Sequence, residues 1–508
     1  MRNCAPKVAF SFPPIVNELG QRAMVSQNRN VQYFIKPTFL VPVVHAQAAT
    51  ALRDIGCSVF WDDGNAEGLL FDQWLDRLCE EKPDIVVLES TTPVMKFFWR
   101  LTETLKGRLP NAILCITGYH SMRMPGETFE NSLVDVVVTS PHVDFVIQRM
   151  LGAIIGRDRE LWMQSFAEVG GLVIRDGAAV MSTGHFSLVE DVDRSAIIDR
   201  DLTRWKLYSG ENGNFLMTPG AYATSVIRDC SFGKCTFCRY NGADLTYSQM
   251  DVKKSVDEYE VLITKYGVKE IFDDSGVWFR GKDAREFANE IISRGLHKKG
   301  CYFGFNTRFE YLDRETIFLL AKANFRFVLL GFEAADQETL MRLKKGYSNE
   351  HVEQCLRWMT EAGLHPHLTV MVGYYWQTQE QLDLTVRTVK RYMFQGLART
   401  LQVTICTPLD FTEYHKECIR EGVLLTEDYD DHDMSKLIVK TPIPHERYYE
   451  AIREMYGVAF HPRYLLRCVA FLLKFRPRDW QFLFVYGVRA ARRVRQHMYN
   501  LTEAKSGS

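Results

Sequence analysis

Arg228-Asp-Cys-Ser-Phe-Gly-Lys-Cys-Thr-Phe-Cys-Arg-Tyr240 is the stretch on which the reading of this chain turns. Cys230, Cys235 and Cys238 stand within nine residues. Three thiolates so spaced can hold three corners of an iron–sulfur cube and leave the fourth iron without a protein ligand. Two other uses of clustered cysteines compete. A closed zinc site takes four ligands, usually as two short-spaced pairs, and the chain has no second Cys-x-x-Cys. A disulfide framework suits small secreted domains. Here the chain has 508 residues and twelve mostly isolated cysteines, and no apolar signal segment is read at its start. The remaining cysteines fall in strand-like or helix-like stretches and read as small buried hydrophobes.

Composition suits an enzyme of two or three domains. The chain is 46% hydrophobic and 25% charged, and its net charge of −1 gives no reason to expect nucleic acid as a partner. No run of eighteen apolar residues occurs, so no membrane span is expected. Thiolates holding an exposed cluster need reducing surroundings, which points to the cytoplasm.

Outward from the cysteines, the N-terminal side alternates short apolar strands with helical runs. Val8–Phe12, Cys57–Trp61, Asp84–Leu88, Ala112–Ile116 and Val134–Val138 read as strands; Ala46–Ile55, Phe71–Glu81 and Phe97–Leu105 read as helices. Strands without polar alternation imply a sheet covered on both faces, so residues 1–155 are expected to form a Rossmann-like, doubly wound parallel sheet. Such sheets bind ligands at the carboxyl ends of their strands. Those ends carry Pro14, Ser90, Thr91, Thr92, Gly118, Tyr119 and His120, which alone support no more than a polar cofactor. Asp63-Gly-Asn-Ala-Glu-Gly68 reads as a turn. Residues 156–216 are expected to bridge to the next domain. From 217 to 411, six βα repeats with polar residues at the strand ends imply an α/β partial barrel whose chemistry sits at its carboxyl rim. Residues 412–508 read as a helical C-terminal region. It ends in apolar stretches followed by Arg489, Arg492, Arg493 and Arg495; a cap over the barrel and a peripheral contact with an anionic membrane are the two readings.

The cysteine run resembles the cluster loop of the radical S-adenosylmethionine (SAM) superfamily, with four residues between the first two cysteines where three are common. Gly233 is the residue able to absorb the extra length. The first 155 residues resemble the cobalamin (B12)-binding domain that precedes the barrel in one subfamily, through a strand ending in Pro-Pro, Ser90-Thr-Thr-Pro93, Gly118-Tyr-His120 and Pro125-Gly-Glu-Thr128. The resemblance implies a 4Fe-4S cluster on Cys230, Cys235 and Cys238. It implies SAM contacts from Phe237, Asp273, Asp274, Ser275, Asn306, Arg308, Glu333 and Gly373, and cobalamin contacts from Pro14, Ser90, Thr91, Thr92, Gly118, Tyr119 and His120. For Asp273 and Asp274 an ion pair with a neighbouring cation is the alternative. Tyr375 and Trp376 read equally as site lining or as core. The family's Ser-Gly after the rim glutamate is replaced by Ala334-Ala335, and Tyr374 to Gln377 lack the usual Pro and second Gly. The activity implied is reductive SAM cleavage to a 5′-deoxyadenosyl radical, hydrogen abstraction from an unactivated carbon of a small-molecule substrate, and methyl transfer from methylcobalamin. Ring closure or rearrangement on the same domains is the alternative, and a non-catalytic iron–sulfur or zinc scaffold is a third reading. A reducing partner such as flavodoxin or ferredoxin follows from the same resemblance.

Overall fold

The computed structural model describes residues 5–25, 30–34, 37–186, 192–210, 215–223, 230–241 and 247–474. They fall into two compact units, Met1–Gly213 with Asp428–Asp433, and Asn214–Glu427 with Met434–Ser508.

The strands of the first unit are β1 (Lys7–Phe12), β2 (Arg22–Val25), β3 (Val31–Phe34), β4 (Ser58–Asp63), β5 (Ile85–Glu89), β6 (Ile113–Thr117), β7 (Val136–Val138), β8 (Leu172–Asp176) and β9 (Ala179–Ser182). Apart from a β2–β3 pair, they form one sheet in the order β4-β1-β5-β6-β7-β8-β9. The first five of that order are parallel, and they are the five strands read from the sequence. Both faces are covered, which is why these strands are apolar throughout. Ala9, Val86, Leu88 and Leu114 pack with Trp74, Leu78 and Phe98, while Phe10 meets the ring of His45 at 6.2 Å.

One expectation is corrected here. The sheet is mixed, because β8 and β9 add antiparallel strands beyond β7. Both strands come from residues 156–216, where the apolar Leu172–Ile174 segment gains cover by pairing with β7. Tyr208 is also tied into this unit, its Oη donating to Asp63 Oδ2 at 2.5 Å and accepting from Trp61 Nε1 at 3.2 Å. A short piece of the expected C-terminal region returns as well. Tyr429 Oη donates to Glu127 Oε1 at 3.0 Å, and Lys96 Nζ donates to Asp428 at 2.5 Å.

Asp63 to Gly68, read as a turn, holds a one-turn helix, Gly64–Glu67, which starts where Asp63 accepts from the Ala66 N–H and ends at left-handed Gly68. Burial pushes the Asp63 carboxyl up to about 6, against the hydrogen bonds from Tyr208 and Ala66. A carboxyl raised on folding contributes stability that is complete below its unfolded value near 4 and is lost as pH rises through about 6. The full swing is about 3 kcal/mol. The Asp63→Asn variant is expected to lose this component, so that its unfolding midpoint between pH 4 and pH 7 varies less than that of the wild type in denaturant titrations.

The second unit contains β10 (Gly220–Ala223), β11 (Glu270–Asp273), β12 (Tyr302–Thr307), β13 (Phe325–Glu333), β14 (His365–Val372) and β15 (Thr400–Ile405). They are parallel and lie in chain order. Helices Val252–Thr264, Gly281–Ser293, Arg314–Lys322, Asn349–Ala362 and Gln379–Gln395 connect successive strands. Four of the five start where a side chain accepts from first-turn N–H groups: Asp251, Asp313 and Ser348, and Thr378 in a capping box with Gln381. Trp278, Phe287, Phe305 and Phe325 fill one side of the sheet, with ring centroids 4.6 to 6.1 Å apart. Helices Glu413–Arg420, His445–Gly457 and Pro462–Lys474 complete the unit. No helix among the described residues is long and apolar enough to cross a membrane. Residues 224–229, which lead into the cysteine run, and 475–508, with Arg489, Arg492, Arg493 and Arg495, lie outside the described residues.

Candidate functional site

Cys230, Cys235 and Cys238 lie on a loop shortly after β10. Gly233 has φ +56, the left-handed conformation its extra position in the loop calls for. The loop is fastened along its length. Thr236 N–H donates to the Leu343 carbonyl at 3.4 Å, Tyr414 N–H donates to the Thr236 carbonyl at 2.9 Å, and Asn241 Nδ2 donates to the Cys235 carbonyl at 3.2 Å.

Two buried cations approach the thiols. Arg308 Nη1 lies 3.6 Å from Cys235 Sγ, and its guanidinium covers the Phe232 ring at 3.5 Å. Arg308 is held there by Glu310 at 2.5 Å and by the Lys345 carbonyl. Lys345 Nζ is 2.9 Å from Glu333 Oε1, and it sits 5.8 Å from the ring centroid of Phe237. Burial pushes the Cys230 thiol up, against hydrogen bonds from Gly233 and Phe232. Burial and then the neighbouring Cys235 push Cys238 up to about 12, with Lys345 acting in the opposite sense. Raised in this way, Cys230 and Cys238 would give up protons on binding a metal, so metal uptake strengthens as pH rises.

Among the described residues no three His, Cys, Asp or Glu side chains converge as ligands of a single ion. A cubane asks for something else, one thiolate at each of three irons, with cations and N–H donors to offset the negative charge. Three thiols, two buried cations and the Phe232 N–H on Cys230 Sγ at 3.4 Å form such a donor set.

The expected SAM contacts all lie in this unit, with differing commitments. Asp273 is fully buried and accepts from Tyr259 Oη at 3.3 Å and Ser275 Oγ at 2.5 Å, so it braces the turn after β11. Asp274 N–H continues the ladder to the Ala223 carbonyl at 2.8 Å. Asn306 Nδ2 donates to the Ser275 carbonyl at 3.1 Å, linking the ends of β11 and β12. Gly373, φ +90, lies under Leu437, whose Cδ2 would be 2.3 Å from an added Cβ. Trp376 is core, stacked on Tyr374 at 5.2 Å, and part-buried Tyr375 donates to Glu417 at 2.7 Å.

Glu333 ends β13 after a register shift and adopts φ +59, rare for a side chain of this kind. Tyr347 Oη, donating to the Gly331 and Phe332 carbonyls at 2.9 and 2.5 Å, holds the bulge. Glu333 and Lys345 fold back over Gly331, their Oε1 and Nζ 2.6 and 2.9 Å from where a Cβ would sit, so a side chain there would displace the pair. Sequence reading missed Lys345. Its signal was Lys344-Lys345-Gly346, a basic pair before a glycine that turns the chain at φ +78.

In the first unit, the seven expected cobalamin contacts gather beyond the carboxyl ends of β1, β5 and β6. His120 is fully buried between Thr92 Oγ1 at 3.2 Å and Glu127 Oε2 at 3.0 Å. Ser90, Thr91, Thr92 and Pro14 are buried, whereas Gly118 and Tyr119 are partly exposed. Gly118 has φ +114, and a Cβ there would stand 1.9 Å from the Ser90 carbonyl oxygen. Gly118→Ala is therefore expected to force the β5 and β6 loops apart and to cost about 3 kcal/mol or more. Thermal unfolding followed with and without the substitution checks this.

Residues 224–389 match the radical SAM superfamily model. The chain carries a radical SAM superfamily domain. Its matched region covers the three cysteines, β11 to β14, Arg308, Glu333 and Lys345. Among curated relatives, the anaerobic magnesium-protoporphyrin IX monomethyl ester cyclase of Cereibacter sphaeroides is 27% identical over 85% of this chain and 71% of the cyclase. Among solved structures, the radical SAM methyltransferase TsrM of Kitasatospora setae, with cobalamin and a [4Fe-4S] cluster bound, aligns over 97% of this chain and 99% of its own at TM-score 0.64 and 15% identity. The cobalamin-dependent SAM radical enzyme OxsB, with aqua-cobalamin and SAM bound, aligns over 97% of this chain and 72% of its own at TM-score 0.66 and 13% identity. At these identities the two structures establish a shared fold.

Proposed function

We propose that this chain is a cobalamin-dependent radical SAM enzyme that methylates an unactivated carbon. The observation that carries the radical part is the convergence of Arg308 and Lys345 on the loop of Cys230, Cys235 and Cys238. Held on these three cysteines, a reduced cluster would supply the electron for reductive cleavage of SAM. The residues around it bind, orient and keep water out. Cys230, Cys235 and Cys238 hold three corners. Arg308 and Lys345 neutralise the cysteine sulfurs, and buried Phe and Tyr rings around them lower the local dielectric, which strengthens both interactions. Asp273, through Ser275 and Asn306, fixes the backbone at the ends of β11 and β12 and so keeps the rim from shifting.

Cobalamin belongs to the reading through the likeness of the whole chain to TsrM and OxsB. The rim at β1, β5 and β6 offers hydroxyls, backbone groups and a glycine. His120 has both ring nitrogens engaged, so a corrin bound there would be held through its periphery, without His120 on its metal.

A second reading, ring closure or rearrangement without methyl transfer, is supported by the cyclase relative. Anaerobically reconstituted protein, given SAM, a low-potential reductant and cobalamin, is expected to form 5′-deoxyadenosine. S-adenosylhomocysteine accumulating beside it supports methylation; its absence during turnover supports the second reading. No 5′-deoxyadenosine with an intact cluster would overturn both.

A further inference from the structure

Helix Pro462–Lys474 turns an apolar stripe to solvent. Leu466 is 69% exposed, Val469 51%, Leu465 49%, and Phe460 just ahead of the helix 47%. Residues 465, 466, 469 and 470 share one helical face. Part-buried Tyr464 and Cys468 point the other way, and Tyr464 Oη donates to the Arg399 carbonyl.

Cations flank the stripe. Arg463 and Arg467 are exposed on the same turns. Beside the helix, a groove of about 390 Å³ is lined by Arg387, Lys390, Arg391, Arg447 and Arg463, against two carboxylates. Both carboxylates, Asp383 and Glu454, pair with Arg447 at 2.6 and 3.1 Å; Glu454 also pairs with Lys390 at 3.5 Å, and Arg391 pairs with Glu353 at 2.9 Å, so the five cations still outnumber the carboxylates beside them. The sequence continues the pattern, since residues 461–495 hold nine Lys or Arg and one Asp in a chain whose net charge is −1.

We propose that this face docks on a bilayer surface rich in anionic lipid headgroups, with the stripe at the acyl boundary and the arginines among the headgroups. An apolar stripe edged by cations is the pattern of a helix lying in the interface plane. Thirteen residues of helix rise about 20 Å, short of the roughly 30 Å of bilayer hydrocarbon. A second copy of the chain would bring one cationic groove against another. A nucleic acid would satisfy the arginines and leave Leu466 and Val469 in water.

The test is flotation of the full-length protein with vesicles of phosphatidylcholine alone, or with about one third phosphatidylglycerol. Binding to the anionic vesicles is expected to exceed binding to the neutral ones by about tenfold or more and to weaken as salt rises. Leu466→Glu/Val469→Glu and, separately, Arg387→Glu/Arg463→Glu are expected to reduce it to the neutral level. Both pairs should keep the wild-type circular dichroism and 5′-deoxyadenosine yield, because none of the four residues touches the cluster loop. Equal binding to both vesicle types, or flotation unchanged by Leu466→Glu/Val469→Glu, would overturn the proposal. So would a vesicle-free dimer that those substitutions dissolve, or retention on DNA in place of vesicles.

Discussion

Alanine at Cys235 is expected to bring 5′-deoxyadenosine formation down to the level of protein without iron. Cys235 is the thiol that Arg308 Nη1 approaches at 3.6 Å, and its loop is pinned by the neighbouring Thr236 to Leu343 and Tyr414. Losing one of three ligands leaves two irons of the cube without a protein partner, so the cluster is lost or degraded and SAM has nothing stable to bind. The fold has no such dependence, since the loop is fastened by backbone hydrogen bonds. Iron content, visible absorption and circular dichroism, measured together on anaerobic preparations, separate the two effects: iron and absorption fall while the dichroism is retained. The same outcome is expected for Cys230→Ala and Cys238→Ala. A Cys235→Ala protein that kept full iron and full 5′-deoxyadenosine yield would refute the assignment of the cluster to this loop.

Breaking the Glu333–Lys345 pair should give the largest loss of stability. Both side chains are buried, 2.9 Å apart. Lys345 is pushed down by its burial, but Glu333 and Cys235 outweigh that and hold it above the ordinary lysine value. Lys345→Met leaves a carboxylate buried without its cation, in a residue already at φ +59. Removing one partner of a buried pair costs about 3 to 5 kcal/mol, whereas replacing both often costs far less. Lys345→Met/Glu333→Gln is therefore expected to unfold later than Lys345→Met alone, and the cycle should show coupling of about 1 to 3 kcal/mol. Denaturant unfolding of Lys345→Met, Glu333→Gln, the double variant and the wild type checks this. Lys345→Met should also bind less iron than the wild type at equal folded fraction, because a positive charge that offsets the cysteine sulfurs has gone. Additive single-variant losses would show that the pair is not coupled.

Arg308 illustrates how far local sequence carried the site and where it stopped. The Phe305-Asn-Thr-Arg308 string put a guanidinium at the end of β12. Glu310, two residues on, is a local partner, but the other groups it meets come from two distant segments, the cysteine loop and the carbonyl of Lys345. Asp273 shows the same division. Its position at the end of β11 was legible, but its hydrogen bond from Tyr259, fourteen residues earlier on the helix, reflects how that helix packs.

Reading along the chain determined the features that depend on neighbours in sequence. Cysteine spacing, the left-handed Gly233, the apolar runs of buried parallel strands and the polar strand ends all follow from short-range sterics and periodicity. Tertiary structure alone decided which edge β8 would pair with, that residues 428–433 would join the first unit, and that Lys345 would be buried against Glu333. Each of these depends on which surface is left uncovered once the rest has packed. That surface is set by side chains far apart in the chain, which no local pattern encodes.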